Sequence, residues 1–131
     1  MTTHDASDEL ADILRSAIVE LVRHEGPDLS ARQLGVILTC YLEPDAQTVR
    51  GLAARLDVSK PAITRALDRL ADFELVRRKI DPEDRRSVLI QRTPAGTAYM
   101  RQLRTFLRKA AAQPAPPRTP PKGGRGARAK A

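Results

Sequence analysis

The chain is 131 residues long, 41% apolar and 3% aromatic, with 30% charged side chains, one cysteine and a net charge of +7. That length fits one domain with a tail, and a lone cysteine excludes an internal disulfide framework. No apolar run approaches the ~20 residues that span a bilayer, and the acidic first dozen residues lack the basic-then-apolar pattern of a signal peptide, which points to a cytoplasmic protein.

The first periodic segment runs through Leu10, Ile13, Leu14, Ala17, Ile18, Leu21 and Val22. Three- and four-residue intervals predict an amphipathic helix, with Asp8 and Glu9 suited to its N-terminal dipole, Asp5 or Ser7 as N-cap and Gly26-Pro27 as the stop. A second helix is expected from about Ser30 to Leu42, with Leu34, Ile37, Leu38 and Tyr41 inward and Pro44 behind it. A short third helix starts after Thr48, turns Val49, Leu52, Ala53 and Leu56 inward and ends near Asp57. A fourth opens on Ser59 as N-cap with Pro61 in the first turn, where a missing N–H costs nothing, and buries Ile63, Ala66, Leu67 and Leu70.

After Phe73 the period changes. Residues 75–80 and 87–92 read as two short strands, and Asp81-Pro82-Glu83-Asp84 between them as a turn, giving a β-hairpin. Thr93-Pro94 then opens a fifth helix whose apolar side is Tyr99, Met100, Leu103, Phe106, Leu107 and Ala110. From Pro114 onward five prolines, three glycines, basic residues and no acid predict a disordered basic tail.

These elements are mainly α. A short helix, a tight turn and an N-capped helix form a helix-turn-helix, and the hairpin directly after it makes the unit a winged helix. The expected architecture is therefore about five helices plus a two-stranded wing over residues 1–112, with the helix-turn-helix at 47–72, the wing at 75–92 and the tail at 113–131. Charge follows the same division. Residues 1–46 hold three basic and nine acidic side chains, residues 47–93 eleven and seven, and residues 94–131 nine and none. An acidic start and a basic remainder suit a polyanion, and double-stranded DNA is the common one.

Recognition helices read base edges with their N-terminal residues. The outward set on the fourth helix is Lys60, Pro61, Ala62, Thr64, Arg65 and, a turn later, Asp68 and Arg69, with Ser59 at the helix start. Arg65 has the fork geometry for guanine, Thr64 and Ala62 suit a thymine methyl or a phosphate, and Ser59 with the free N–H groups of the helix start suits a phosphate. The hairpin supplies Arg77, Arg78 and Lys79 on its first strand and Arg85 and Arg86 at its tip, where an arginine can enter the minor groove. Asp84 beside them makes sense if it orients Arg86 or caps the turn.

The run from Leu52 to Leu70, the Leu75-Val76-Arg77-Arg78 strand, the Asp81-to-Ser87 loop and Thr93-Pro94-Ala95-Gly96 together resemble the MarR family of bacterial regulators across about residues 34–100. The Asp-x-Arg of the wing, here Asp84 and Arg86, is the most distinctive shared element. The resemblance implies sequence-specific DNA binding and transcription regulation, as a repressor. It also implies Arg86 as the minor-groove arginine with Asp84 as its partner, and residues 59–65 as the major-groove reader. A homodimer through the first and fifth helices and a small-molecule or oxidant signal belong to the same pattern. Three features depart from it: Phe73-Glu74 stand where a glycine is usual, Arg92 where an apolar residue is usual, and one helix rather than two follows the wing.

Other chemistry finds little support. His4 and His24 are too few for a metal site, no phosphate loop or nucleophile elbow occurs, and Cys40 reads as a small buried apolar residue. The chain is therefore not expected to be an enzyme or to hold a cofactor. Two alternatives to regulation are a winged-helix protein-interaction module and an architectural DNA binder driven by the tail, whose Arg118, Lys122, Arg125, Arg128 and Lys130 can each meet a phosphate.

Overall fold

The computed structural model describes residues 6–113. The expected Asp5 cap and, beyond Gln113, the expected tail lie outside these residues. The elements in chain order are α1 (Ala6–Arg23), α2 (Ala31–Leu42), β1 (Gln47–Thr48), α3 (Val49–Leu56), α4 (Lys60–Asp72), β2 (Val76–Asp81), β3 (Asp84–Arg92) and α5 (Pro94–Ala112).

Local chemistry sets most of the boundaries. Ser30 closes a capping box on α2: its hydroxyl accepts the Gln33 N–H, and the Gln33 side chain accepts the Ser30 N–H. Thr48, Ser59 and Thr93 cap α3, α4 and α5 through the hydroxyl alone, accepting the N–H of Gly51, Ala62 and Gly96. Asp57 ends α3 in the left-handed conformation, at φ 57°. An Asp tolerates that region better than most residues. Ser7 is not a cap, because α1 already includes Ala6.

The core is aliphatic, as the composition requires. Val36, Ile37, Leu52, Ile63, Leu67 and Leu70 have no exposed surface, and Tyr41, Met100, Leu103 and Ile90 close around them. Val58, in the turn between α3 and α4, packs against this cluster and helps to fix the crossing of the two helices. The inward face of α2 is rotated from the expected stripe: Val36 and Cys40 are buried, whereas Leu34 and Leu38 sit at its edge. On α1 only Ala17 and Asp12 are deeply buried. Leu10, Leu14 and Val22 are 66%, 58% and 73% exposed, so much of its apolar stripe faces away from this subunit's core.

The sheet has three antiparallel strands in the order β1-β3-β2, not two. Gln47 and Thr48 pair with Ile90 and Leu89, which joins the start of the helix-turn-helix to the wing. Such a two-residue strand lacks the alternating run by which strands are read in a sequence. The hairpin turn is also tighter than expected. Asp81 faces Asp84 across Pro82-Glu83, and the Asp81 carboxylate accepts the Glu83 N–H at 2.9 Å.

Candidate nucleic-acid interface

The first turn of α4 presents Lys60, Pro61, Thr64 and Arg65 to solvent. Ala62 requires a correction. Its surface is only 6% exposed, because position 62 already turns toward the core, so it is not part of the outward set. The helix start is also less open to an anion than expected: Ser59 Oγ is engaged by the Ala62 N–H at 3.2 Å, and Pro61 has no N–H to offer. Arg69 is exposed, and its guanidinium lies over the Phe73 ring, 4.8 Å from the centroid.

The wing is shaped by an irregularity at its tip. Ile80 and Asp81 are neighbours on β2, yet their partners on β3 are Val88 and Asp84. Arg85, Arg86 and Ser87 therefore have no opposite residue, and β3 bulges there. Bulges re-aim side chains out of a regular ladder. Arg86 is 89% exposed as a result. Its own N–H donates to Asp84 Oδ1 at 3.1 Å, and its Nε stands 3.7 Å from the same oxygen. Asp84 thus both closes the backbone at the bulge and lies beside the arginine head. Arg85 is exposed as well, so the two arginines and Asp84 belong to β3 just past the turn rather than to the turn itself.

Further down the wing, Arg77 and Lys79 are exposed. Arg78 is committed elsewhere. Its Nη1 donates to Asp68 Oδ1 on α4 at 2.6 Å. Among the described residues this is the one ion pair between α4 and the wing. An Asp on a basic helix face was visible in the sequence, but nothing in the spacing pointed to its partner ten residues on.

The root of the wing explains two of the departures. Glu74 takes the position where a glycine is usual, and it has φ 63°, the left-handed region that a glycine enters without strain. Its carbonyl accepts the Thr93 hydroxyl at 2.7 Å. Arg92, in place of an apolar residue, reaches the end of α2. Its Nε donates to the Cys40 carbonyl at 3.0 Å and its Nη2 to the Glu43 carbonyl at 2.7 Å, so a cation satisfies the carbonyls that the helix end leaves open. Cys40 itself is buried, and burial pushes its thiol up to about 11 despite the nearby Arg92 charge, far from the low values of reactive thiols. Among the described residues no group of three or more His, Cys, Asp or Glu side chains is placed to hold a metal ion, and no helix is long and apolar enough to cross a membrane.

Residues 29–88 match the model of the MarR family. A comparison with curated proteins gives no significant match. Among solved structures the chain is similar to MarR, at 29% identity and a TM-score of 0.59 over 77% of this chain and 74% of that one. A mutant MarR from E. coli gives 27% identity and a TM-score of 0.62, over 81% and 74% of the two chains. The YusO protein from Bacillus subtilis is 20% identical and superimposes with a TM-score of 0.64, over 79% and 70%. Residues 29–88 thus match the MarR family model, and the chain is similar in its winged-helix fold to the solved MarR structures.

Proposed function

We propose that this protein is a sequence-specific DNA-binding repressor, which docks the N-terminal turns of α4 in a major groove and the Asp84–Arg86 bulge of the wing in the adjoining minor groove. The observation that carries this reading is the pairing of exposed Lys60, Thr64 and Arg65 on α4 with an 89% exposed Arg86 at a bulged wing tip, both on a packed core. Phosphate contacts from Lys60, Arg77, Lys79 and Arg85 position the protein, while Thr64, Arg65 and Arg86 choose the site. The basic residues of 114–131 add contacts that raise affinity with little sequence choice. The protein acts in the cytoplasm, at the nucleoid.

The same reading makes the protein a homodimer through α1 and α5. The exposed Leu10, Leu14 and Val22 on α1 supply an apolar seam, and α5 packs directly beside it. A two-fold dimer requires a palindromic site with half-sites about one helical turn apart.

The test is selection of bound duplexes from a random library by the full chain, followed by titration of the best duplex at several salt concentrations. The expected result is one enriched palindrome with a salt-dependent affinity at least about a thousand-fold above that for random duplex. Salt-insensitive or absent DNA binding, with a dimer still formed, favours a protein-docking module instead.

A further inference from the structure

Asp68 lies on α4 three residues after Arg65 and four after Thr64, on the same outward face. A carboxylate there opposes the approach of any polyanion. Its partner is Arg78 of β2, at 2.6 Å. The Arg78 side chain is 34% exposed, whereas that of Arg86 is 89% exposed. A cation that stands within reach of a docked duplex is therefore drawn in against the recognition helix. Stability does not account for the pair, because an exposed ion pair contributes little.

The pair has two physical effects. It cancels one positive charge on the surface proposed to meet DNA, and it directs the Arg78 guanidinium toward α4 rather than outward. A free arginine finds a phosphate in any register, so its contribution is blind to sequence. A paired one leaves binding to the contacts that need both reading elements docked at once. We infer that Asp68 is a specificity-determining positioning residue: it withholds Arg78 from phosphates by holding its guanidinium against the recognition helix. This rests on the proposed DNA reading and deepens it.

The experiment measures, for the full chain, dissociation constants for the selected duplex and for a random-sequence duplex across a salt series. The variants are Asp68→Asn, Arg78→Ala and the double variant, with Asp68→Ser as a companion to Asp68→Asn; melting curves check that each is folded. With Asp68→Asn the random duplex is expected to bind on the order of five-fold tighter, with a log–log salt slope steeper by about 0.9, the signature of one added phosphate contact. The ratio between selected and random duplex falls. Adding Arg78→Ala to Asp68→Asn is expected to return affinity and slope for random duplex to the wild-type values. Arg78→Ala alone weakens both duplexes, since it leaves a bare carboxylate facing phosphates.

An Asp68→Asn protein with unchanged random-duplex affinity and slope overturns the inference and leaves the DNA reading standing. A gain that survives in the double variant overturns it too, because the freed arginine is then not its source. A wild-type protein with no salt-dependent duplex affinity overturns the DNA reading and this inference with it.

Discussion

The hydroxyl of Tyr41 on α2 accepts the main-chain N–H of Thr93 at 3.0 Å and donates to the Leu75 carbonyl at 2.6 Å. One buried atom thereby joins α2, the first residues of the wing and the start of α5. The Thr93 hydroxyl extends the node to the Glu74 carbonyl and caps α5. Gly96 completes it: a Cβ at that position would meet Tyr41 Oη and the Leu75 carbonyl. The terminal helix and the wing root therefore cannot shift independently without breaking buried hydrogen bonds.

Tyr41→Phe is expected to destabilise the protein by about 2–4 kcal/mol, because a buried N–H and a buried carbonyl each lose their partner. Gly96→Ala forces a methyl into occupied space and costs about 1–3 kcal/mol or more. Urea unfolding followed by circular dichroism measures both. If either variant matches the wild-type midpoint and slope, the node does not hold these elements together.

Glu74 offers the opposite change. At φ 63° a side chain carries strain that a glycine does not. Glu74→Gly is expected to raise stability by up to about 1 kcal/mol, the relief of strain being partly offset by the greater freedom of glycine in the unfolded chain. A clear loss of stability would mean that the Glu74 side chain contributes more than its backbone costs.

Arg92→Leu removes two charge-assisted hydrogen bonds to the end of α2. The expected loss is about 1–3 kcal/mol, read by the same unfolding measurement. Arg92→Lys should recover only part of it, since a single ammonium cannot reproduce the fork that spans the Cys40 and Glu43 carbonyls.

Cys40 makes a pH-dependent prediction. Its folded-state value, about 11, is raised above the ordinary 9.0, so the folded protein holds the thiol proton more tightly than the unfolded chain. The sign follows: its contribution is fully present below about pH 9 and is lost as pH rises toward 11. Burial acts on Tyr99 in the same direction. Denaturant titrations at pH 8, 9, 10 and 11 should show falling stability, with a shallower fall for Cys40→Ser. At pH 8 the native thiol should react with a maleimide far more slowly than the unfolded thiol; rapid native labelling would contradict its burial.

The extent to which the sequence announced this structure follows the range of the interactions. Ser59 with Pro61, and Thr93 with Pro94, set their helix starts through bonds spanning three residues, and such rules are readable in a one-dimensional string. The winged-helix order and the Asp84–Arg86 element were legible for the same reason. The Tyr41 hydroxyl bonds residues 34 and 52 positions away, and Arg92 reaches back 52 and 49. No periodicity encodes such reach. The β1 strand is too short to alternate, and the bulge that turns out Arg85 and Arg86 depends on register, which the turn residues alone did not specify. Ala62 was misplaced because the buried stripe of α4 is one residue wider at its N-terminal end than the apolar periodicity indicated.

The most direct measurement is the affinity of Arg86→Ala for the selected duplex, beside the wild type and at several salt concentrations. Loss of the exposed wing arginine is expected to cost about 1–3 kcal/mol of binding and to reduce the salt slope, with melting behaviour unchanged because Arg86 packs against nothing in the core. An Arg86→Ala protein that binds the selected duplex as tightly as the wild type, with the same salt slope, would contradict a DNA-reading wing.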